Sequence, residues 1–310
     1  MRALVTGGNG FVGRYLVAEL RARGTETFSA GRHADGAQVD VPLDLADIQN
    51  VRGVVELVQP NVVFHLAAQA FVPEATRAPL ETYDTNVAGT ARLIEAIRAL
   101  DETERPRVVY VSSGEVYGAQ PPAALPLAET ALPQPATPYA ASKLAAETIV
   151  LASVRSYGID AVVTRAFNHI GPGQNERFVV AAFAARLAAI AAGGPPYFPV
   201  GNLTPQRDFL DVRDVVRAYA DVAERGRCGE VYNVCSGTPT RIADVLRTLV
   251  TIARVGVEIR EDPQLVRPVD VPLAFGDKAK LQAATGWKPE LSLGRSLRDV
   301  YDAARARLPV

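Results

Sequence analysis

Two cysteines, Cys228 and Cys235, are all that this sequence offers for covalent cross-linking. A pair cannot build the disulfide framework of a small secreted domain, and its spacing fits no zinc pattern. Each is expected to act as a small buried hydrophobe, and no metal site is expected. Long hydrophobic runs are missing as well. The most apolar stretches, residues 61–72 and 181–194, are interrupted by His65 and Arg186. Neither reaches the ~18 residues of a membrane span, so no membrane partner is expected. Met1-Arg2-Ala3-Leu4-Val5-Thr6 meets Gly7-Gly8 too soon for the apolar segment of a secretory signal, and the expected location is the cytoplasm. Excess charge is also absent. Basic and acidic residues nearly cancel, leaving a net charge of -1, which supplies no general field for a polyanion and speaks against nucleic acid as a partner. No internal repeat or low-complexity tract interrupts the chain.

What the 310 residues do contain is alternation. Short β-branched runs are predicted as strands over residues 3–6, 25–30, 61–66, 107–112 and 161–166. Ala-, Leu- and Arg-rich runs at helical spacing are predicted over 11–23, 47–59, 80–100 and 139–157. Strands alternating with helices imply βαβ units and a parallel sheet, with right-handed crossovers placing helices on both faces. The fold class expected is therefore α/β, a doubly wound Rossmann-type sheet. After Ala166 the rhythm breaks at Gly171-Pro172-Gly173 and Gly193-Gly194-Pro195-Pro196. A strand-helix unit over 207–225 is expected to rejoin the sheet. Residues 1–166 with 207–229 would form the nucleotide-binding domain, and 167–206 with 230–310 a smaller α/β substrate domain. The cleft between them is the expected site.

The turn Thr6-Gly7-Gly8-Asn9-Gly10-Phe11-Val12-Gly13 follows the first strand directly and opens the first helix. Glycines at 7, 10 and 13 suit a tight turn and a close approach of backbone to a pyrophosphate. The helix N-terminus beyond them presents free N–H groups and a positive dipole end. The second strand ends in Ser29-Ala30-Gly31-Arg32-His33, where NAD sites carry an acid for the ribose 2′-hydroxyl. Arg32 can instead pair with a 2′-phosphate. NADP(H) is thus the expected cofactor, with NAD(H) the alternative if Arg32 is merely a solvated surface residue.

Tyr139-Ala140-Ala141-Ser142-Lys143 follows Thr137-Pro138. Proline suits a helix start, so Tyr139 and Lys143 fall four apart on one helix face. Four lysines and ten tyrosines would give roughly 0.13 such pairs by chance, so the match carries information. Lys143 is expected to lower the Tyr139 pKa and to hold a nicotinamide ribose, leaving Tyr139 able to donate or accept a proton. The apolar strand before it ends in Ser112-Ser113-Gly114-Glu115, at the carboxyl end that faces the ligand crevice of such a sheet. Ser113 can donate to a substrate carbonyl. Glu115 is either an acid or base there, or a turn cap.

Together these segments, with Asp44-Leu45, Phe64-His65-Leu66-Ala67-Ala68-Gln69 and Asn86-Val87-Ala88-Gly89-Thr90, resemble the extended short-chain dehydrogenase/reductases, in particular their nucleotide-sugar branch. The resemblance covers nearly the whole chain. It implies that Asp44 and Leu45 flank the adenine, that Leu66, Ala67 and Ala68 line the cofactor, and that His65 is structural. It also implies that Asn168, Arg207 and Arg267 contact a nucleotide-sugar diphosphate, with Asp270 accepting from ribose hydroxyls. The loop Asn168-His169-Ile170-Gly171-Pro172-Gly173-Gln174 and the run Val231–Gly237 look most like enzymes that reduce the 4-keto group of GDP-4-dehydro-6-deoxy-D-mannose to give GDP-D-rhamnose. GDP-mannose 4,6-dehydratases, which resemble the chain and use a glutamate at the position of Glu115, stay open as an alternative. So do a nucleotide-sugar 4-epimerase and a regulatory binder without chemistry, although such a binder usually lacks the Tyr/Lys pair kept here. Ala-rich helices near 90–100 and 140–156 resemble those that form a four-helix interface in the family, which implies a homodimer.

Overall fold

The computed structural model describes residues 1–32, 39–265 and 271–308. Its first half is a wound parallel sheet: β1 (Arg2–Thr6), β2 (Glu26–Gly31), β3 (Val41–Pro42), β4 (Val62–His65), β5 (Arg107–Ser113) and β6 (Ala161–Ala166). Three strands, β7 (Asn168–Ile170), β8 (Tyr197–Val200) and β9 (Gln206–Asp211), then leave it before β10 (Val231–Val234) returns to its edge. Among the described residues the order is β10-β6-β5-β4-β1-β2-β3, and every pairing is parallel. Such strands are covered on both faces, which is why the central ones read as apolar runs, Val62-Val63-Phe64 in β4 and Val108-Val109-Tyr110-Val111 in β5.

Helices α1 (Phe11–Ala22), α2 (Ile48–Val58), α3 (Val72–Arg77), α4 (Pro79–Tyr83), α5 (Gly89–Arg98) and α6 (Pro138–Tyr157) connect these strands. Val5, Phe64 and Val109 face one side, where they share a core with α1 and with α8 (Val212–Arg225), which follows α7 (Val179–Ala191). Leu4, Val63 and Tyr110 face the other side, against α2, α5 and α6. The sequence starts and stops α6 clearly. The Thr137 hydroxyl accepts from the Ala140 N–H at 3.1 Å, Pro138 opens the first turn, and Gly158 ends the helix at φ 67°.

The smaller lobe is centred on β9, which pairs with β7, with β11 (Pro239–Arg241) and with β13 (Leu273–Ala274), while β12 (Glu258–Glu261) pairs with β8. Helices α7, α9 (Ile242–Ala253) and, after the short α10 (Ala279–Thr285), α11 (Leu293–Arg305) enclose its core around Leu187, Phe198, Leu246 and Leu297. No helix among the described residues is long and apolar enough to cross a membrane.

Three details depart from the sequence expectations. The 207–225 unit does not rejoin the main sheet as a whole. Its helix packs against α1, but its strand β9 lies in the smaller sheet, and Val231–Val234 takes the edge beside β6. The continuous helix over 80–100 is divided: Pro79 opens a short α4, and a π-helical turn at Asp84–Ala88 precedes α5. That turn directs the Asn86 side chain inward, where it is buried against Gln69 and Ser142. Cys235 is buried as expected, whereas Cys228 is exposed in the loop between α8 and β10.

Candidate active site

A cleft of about 1770 Å³ opens over the carboxyl ends of the parallel strands and runs beneath the smaller lobe. Gly7, Gly10, Phe11, Val12 and Gly13 form one end of it. Gly7 has φ +70°, a conformation natural to glycine, and the Gly10 N–H donates to its carbonyl at 2.9 Å. A Cβ on Gly13 would stand 2.1 Å from the Gly7 oxygen. The first turn of α1 and the loop are thus packed as tightly as backbone allows, and the unpaired N–H groups at the helix start border open space. Arg32 is exposed at the rim beyond β2. Asp44 and Leu45 line the same side, the Asp44 carboxylate accepting from the Ala46 N–H at 3.0 Å. Leu66, Ala67 and Ala68 continue the wall from the end of β4.

Ser113, Glu115, Tyr139 and Lys143 converge on the middle of the cleft. Ser113 ends β5, and its hydroxyl accepts from the Glu115 N–H at 3.2 Å, capping the 3₁₀ turn Gly114–Tyr117. Burial raises the Tyr139 pKa to about 12; the Ser113 hydroxyl beside it opposes the shift and the Glu115 charge adds to it. The expected lowering by Lys143 is not what this site produces. Lys143 is itself buried, and burial brings its pKa down to about 7, with Glu147 opposing. Desolvation acts on both members and favours the neutral form of each. Its consequence is a phenol that stays protonated at neutral pH.

A relay of buried hydroxyls and amides fixes this centre from behind. The Ala67 N–H donates to Thr6 Oγ1 at 3.2 Å, and Thr6 Oγ1 lies 2.7 Å from His65 Nδ1. His65 Nε2 lies 3.0 Å from Thr90 Oγ1, whose hydroxyl donates to the Asn86 carbonyl at 2.6 Å. One tautomer satisfies the chain: Nδ1 accepts from Thr6 and the Nε2 hydrogen goes to Thr90. His65 is thereby held neutral, its pKa brought down to about 3 by burial and then by the nearby Lys143 ammonium. Asn86 donates to Ser142 Oγ at 2.9 Å, and Ser142 donates to the Tyr139 carbonyl at 2.7 Å, which ties the π turn to α6.

On the opposite wall, Asn168 is exposed at the start of β7, and Arg207 projects from β9 with its guanidinium on the carbonyls of Gln206 (3.0 Å) and Val271. Both line the cleft. Arg267 and Asp270 lie outside the described residues. Sequence reasoning missed most of this wall, which includes Phe183 and Arg186 of α7 and the Pro199–Leu203 segment. It also missed the edge-to-face pair Phe71–Phe178, with ring centroids 5.9 Å apart, which joins the two lobes across the cleft. Three buried polar atoms that no described group satisfies, Ser112 Oγ, Gln174 Oε1 and Tyr219 Oη, belong to residues lining the cleft. Such atoms are expected where a polar ligand binds. Gln174 closes a loop singled out in the sequence, and Ser112 neighbours Ser113; nothing in residue type alone distinguishes either.

Comparison with known proteins agrees with this architecture. A family model described as GDP-mannose 4,6 dehydratase matches residues 4–300. The GDP-6-deoxy-D-mannose reductase of Pseudomonas aeruginosa is 40% identical over 310 residues, spanning 99% of this chain and 98% of that one. The structure of RMD from Pseudomonas aeruginosa complexed with NADPH superposes with a TM-score of 0.89 at 39% identity, covering 99% of each chain. The UDP-glucose 4-epimerase of Thermus thermophilus complexed with NAD gives a TM-score of 0.88 at 32% identity, covering 99% of this chain and 100% of the other. With its fold, its strand-end motifs and these matches in agreement, this chain belongs to the GDP-mannose 4,6-dehydratase family of extended short-chain dehydrogenase/reductases.

Proposed function

We propose that the protein is an NADP(H)-dependent oxidoreductase that reduces the 4-keto group of GDP-4-dehydro-6-deoxy-D-mannose to give GDP-D-rhamnose. The observation that carries this reading is the 40% identity, over nearly the full chain, to a GDP-6-deoxy-D-mannose reductase. The cleft suits the cofactor. The cradle at Gly7–Gly13 leaves no room for a Cβ at Gly13 and takes the pyrophosphate. Arg32 takes the 2′-phosphate, Asp44 and Leu45 flank the adenine, and Leu66–Ala68 with Lys143 hold the nicotinamide ribose. The lobe of the seven-stranded sheet therefore binds the dinucleotide, and the smaller lobe binds the sugar nucleotide through Asn168, Arg207, Arg267 and Asp270.

When held in this cradle, NADPH would supply the hydride that C4 of the sugar accepts. Tyr139 donates its proton to the carbonyl oxygen, a role suited to a phenol that is still protonated at pH 7. Ser113 donates a hydrogen bond to the same oxygen and fixes its direction. Lys143, when charged, favours the phenolate that Tyr139 becomes. Solvent then returns the proton to Tyr139, so each turnover consumes one hydride and one proton.

Glu115 favours a second reading, GDP-mannose 4,6-dehydratase, because its carboxylate shares the turn with Ser113 and acts on Tyr139. The two readings separate in one assay. Loss of NADPH on adding GDP-4-dehydro-6-deoxy-D-mannose supports the reductase. No loss, with GDP-mannose converted to a keto sugar without added reductant, establishes the dehydratase. The protein is also read as a cytoplasmic homodimer joined through α5 and α6; light scattering at twice the chain mass is expected, and a monomer contradicts it.

A further inference from the structure

Behind the proton donor lies a buried ion pair that the reaction as written does not use. Glu147 and Arg165 are 2% and 5% exposed, and they meet twice, Arg165 Nη2 to Glu147 Oε1 at 2.6 Å and Nε to Oε2 at 3.2 Å. Glu147 stands four residues beyond Lys143 on α6, on the same helix face. Arg165, in β6, places its guanidinium 4.8 Å from the centre of the Tyr117 ring, and Tyr117 closes the turn that Ser113 caps and Glu115 belongs to. The Tyr117 hydroxyl donates to Asn233 Oδ1 at 2.7 Å. The Asn233 N–H donates to Glu129 Oε1 at 2.7 Å, and Arg165 Nη1 donates to the Glu129 carbonyl at 3.4 Å. Desolvating two ions commonly costs as much as their pairing returns, and apolar residues of similar volume are often as stable. Fold stability alone therefore gives little reason for this pair.

Its position does. The titratable groups around Lys143 are His65 from β4, Tyr110 from β5, whose ring centre is 4.7 Å from the ammonium, and Tyr139 and Glu147 on its own helix. Burial holds His65 neutral and raises both tyrosines, which leaves Glu147 as the anion that favours a charged Lys143. We infer that the Glu147–Arg165 pair is a positioning unit of the proposed reaction: Glu147 keeps Lys143 cationic, and Arg165 clamps the serine turn to the helix that carries Tyr139. The inference rests on the reductase reading for its reaction, but its test does not.

With four lysines in the chain, protein labelled with ¹³C at lysine Cε gives few signals, and Lys143→Met identifies the one that matters. In Glu147→Gln the Lys143 titration midpoint is expected to fall by about one pH unit or more. The high-pH limb of kcat for NADPH oxidation should fall with it, and Glu147→Asp should restore part of both. An unchanged midpoint in Glu147→Gln overturns the inference, even if activity or stability declines. Should that variant not fold, Arg165→Gln is read instead: it removes the competing cation and leaves the Glu147 charge, so the Lys143 midpoint should rise. A rise supports the inference there, and an unshifted or lowered midpoint overturns it. A wild-type protein that oxidises no NADPH with the keto sugar defeats the reductase reading instead, and the Lys143 titration still decides this one.

Discussion

The two walls of the cleft are made of different material. The wall over β1, β4 and β5 is largely backbone and strand-end turns, such as Gly7–Gly13 and Leu66–Ala68, with Ser113 at the end of β5 and Tyr139 and Lys143 beside it at the start of α6. The wall beneath the smaller lobe is made of side chains drawn from α7, the Pro199–Leu203 segment and β9. A backbone wall tolerates few residue types at each position, because sterics and φ decide them. A side-chain wall can be rebuilt residue by residue, so specificity for the sugar and its nucleotide is assigned there, and the shared hydride and proton chemistry to the first wall.

The largest expected effect is at the chemical centre. Tyr139→Phe removes only a hydroxyl, and kcat should drop by about 10³-fold, within the usual range for a lost general acid, while NADPH still binds. Full turnover by this variant in steady-state assays would remove Tyr139 from the mechanism. Next comes the backbone wall. Gly13→Ala places a methyl 2.1 Å from the Gly7 oxygen, and overpacking of this kind costs about 1–3 kcal/mol. NADPH affinity measured by fluorescence titration should fall by about 10-fold or more. Gly53→Ala, at an exposed position of α2 with nothing within 4 Å, should by contrast gain about 0.5–1 kcal/mol of stability. If both substitutions are neutral, the distinction between the walls loses its steric basis.

Arg32→Asp tests a side chain set on the backbone wall. Removing charge-assisted contacts worth about 1.5–3 kcal/mol should cut the preference for NADPH over NADH by roughly 10- to 100-fold. An unchanged ratio of kcat/KM values returns Arg32 to the solvated surface. The smallest effect is one of pH. His65 has a folded pKa near 3 against 6.5 ordinarily, so between those values the unfolded chain binds more protons and stability rises with pH. His169, also lowered by burial, acts in the same direction. Denaturant unfolding should therefore show stability falling as pH drops from about 6.5 towards 3, with a shallower slope in His65→Gln. Equal slopes in the two proteins would mean that His65 titrates as an exposed residue does.

The same contrast explains what the sequence made legible. Gly7 and Gly13 could be read because only glycine fits where they stand, and Tyr139 and Lys143 because one helical turn after Thr137-Pro138 fixes their spacing. The parallel sheet followed from short strand runs such as Val62–His65 alternating with helical ones. The strand returning to the sheet edge was misplaced because Gln206–Asp211 and Val231–Val234 are both short; pairing partners far along the chain, rather than local pattern, decide which joins β6. The direction of the Tyr139 shift was missed for a related reason. Spacing shows that a lysine is near, but the depth of burial that outweighs it is a tertiary property. Phe71, Phe178 and Arg186 left no signal at all, since an exposed aromatic or arginine acquires meaning only once the two lobes face each other.

In the proposed reaction a hydride from NADPH ends on C4 of the sugar. The most direct measurement is to incubate the protein with GDP-4-dehydro-6-deoxy-D-mannose and NADPH carrying deuterium at the transferable position, then locate the label by NMR. One deuterium is expected on C4 of a GDP-6-deoxyhexose for each NADP⁺ formed. A keto sugar recovered without deuterium, from protein that does convert GDP-mannose, would contradict it and make the enzyme a dehydratase.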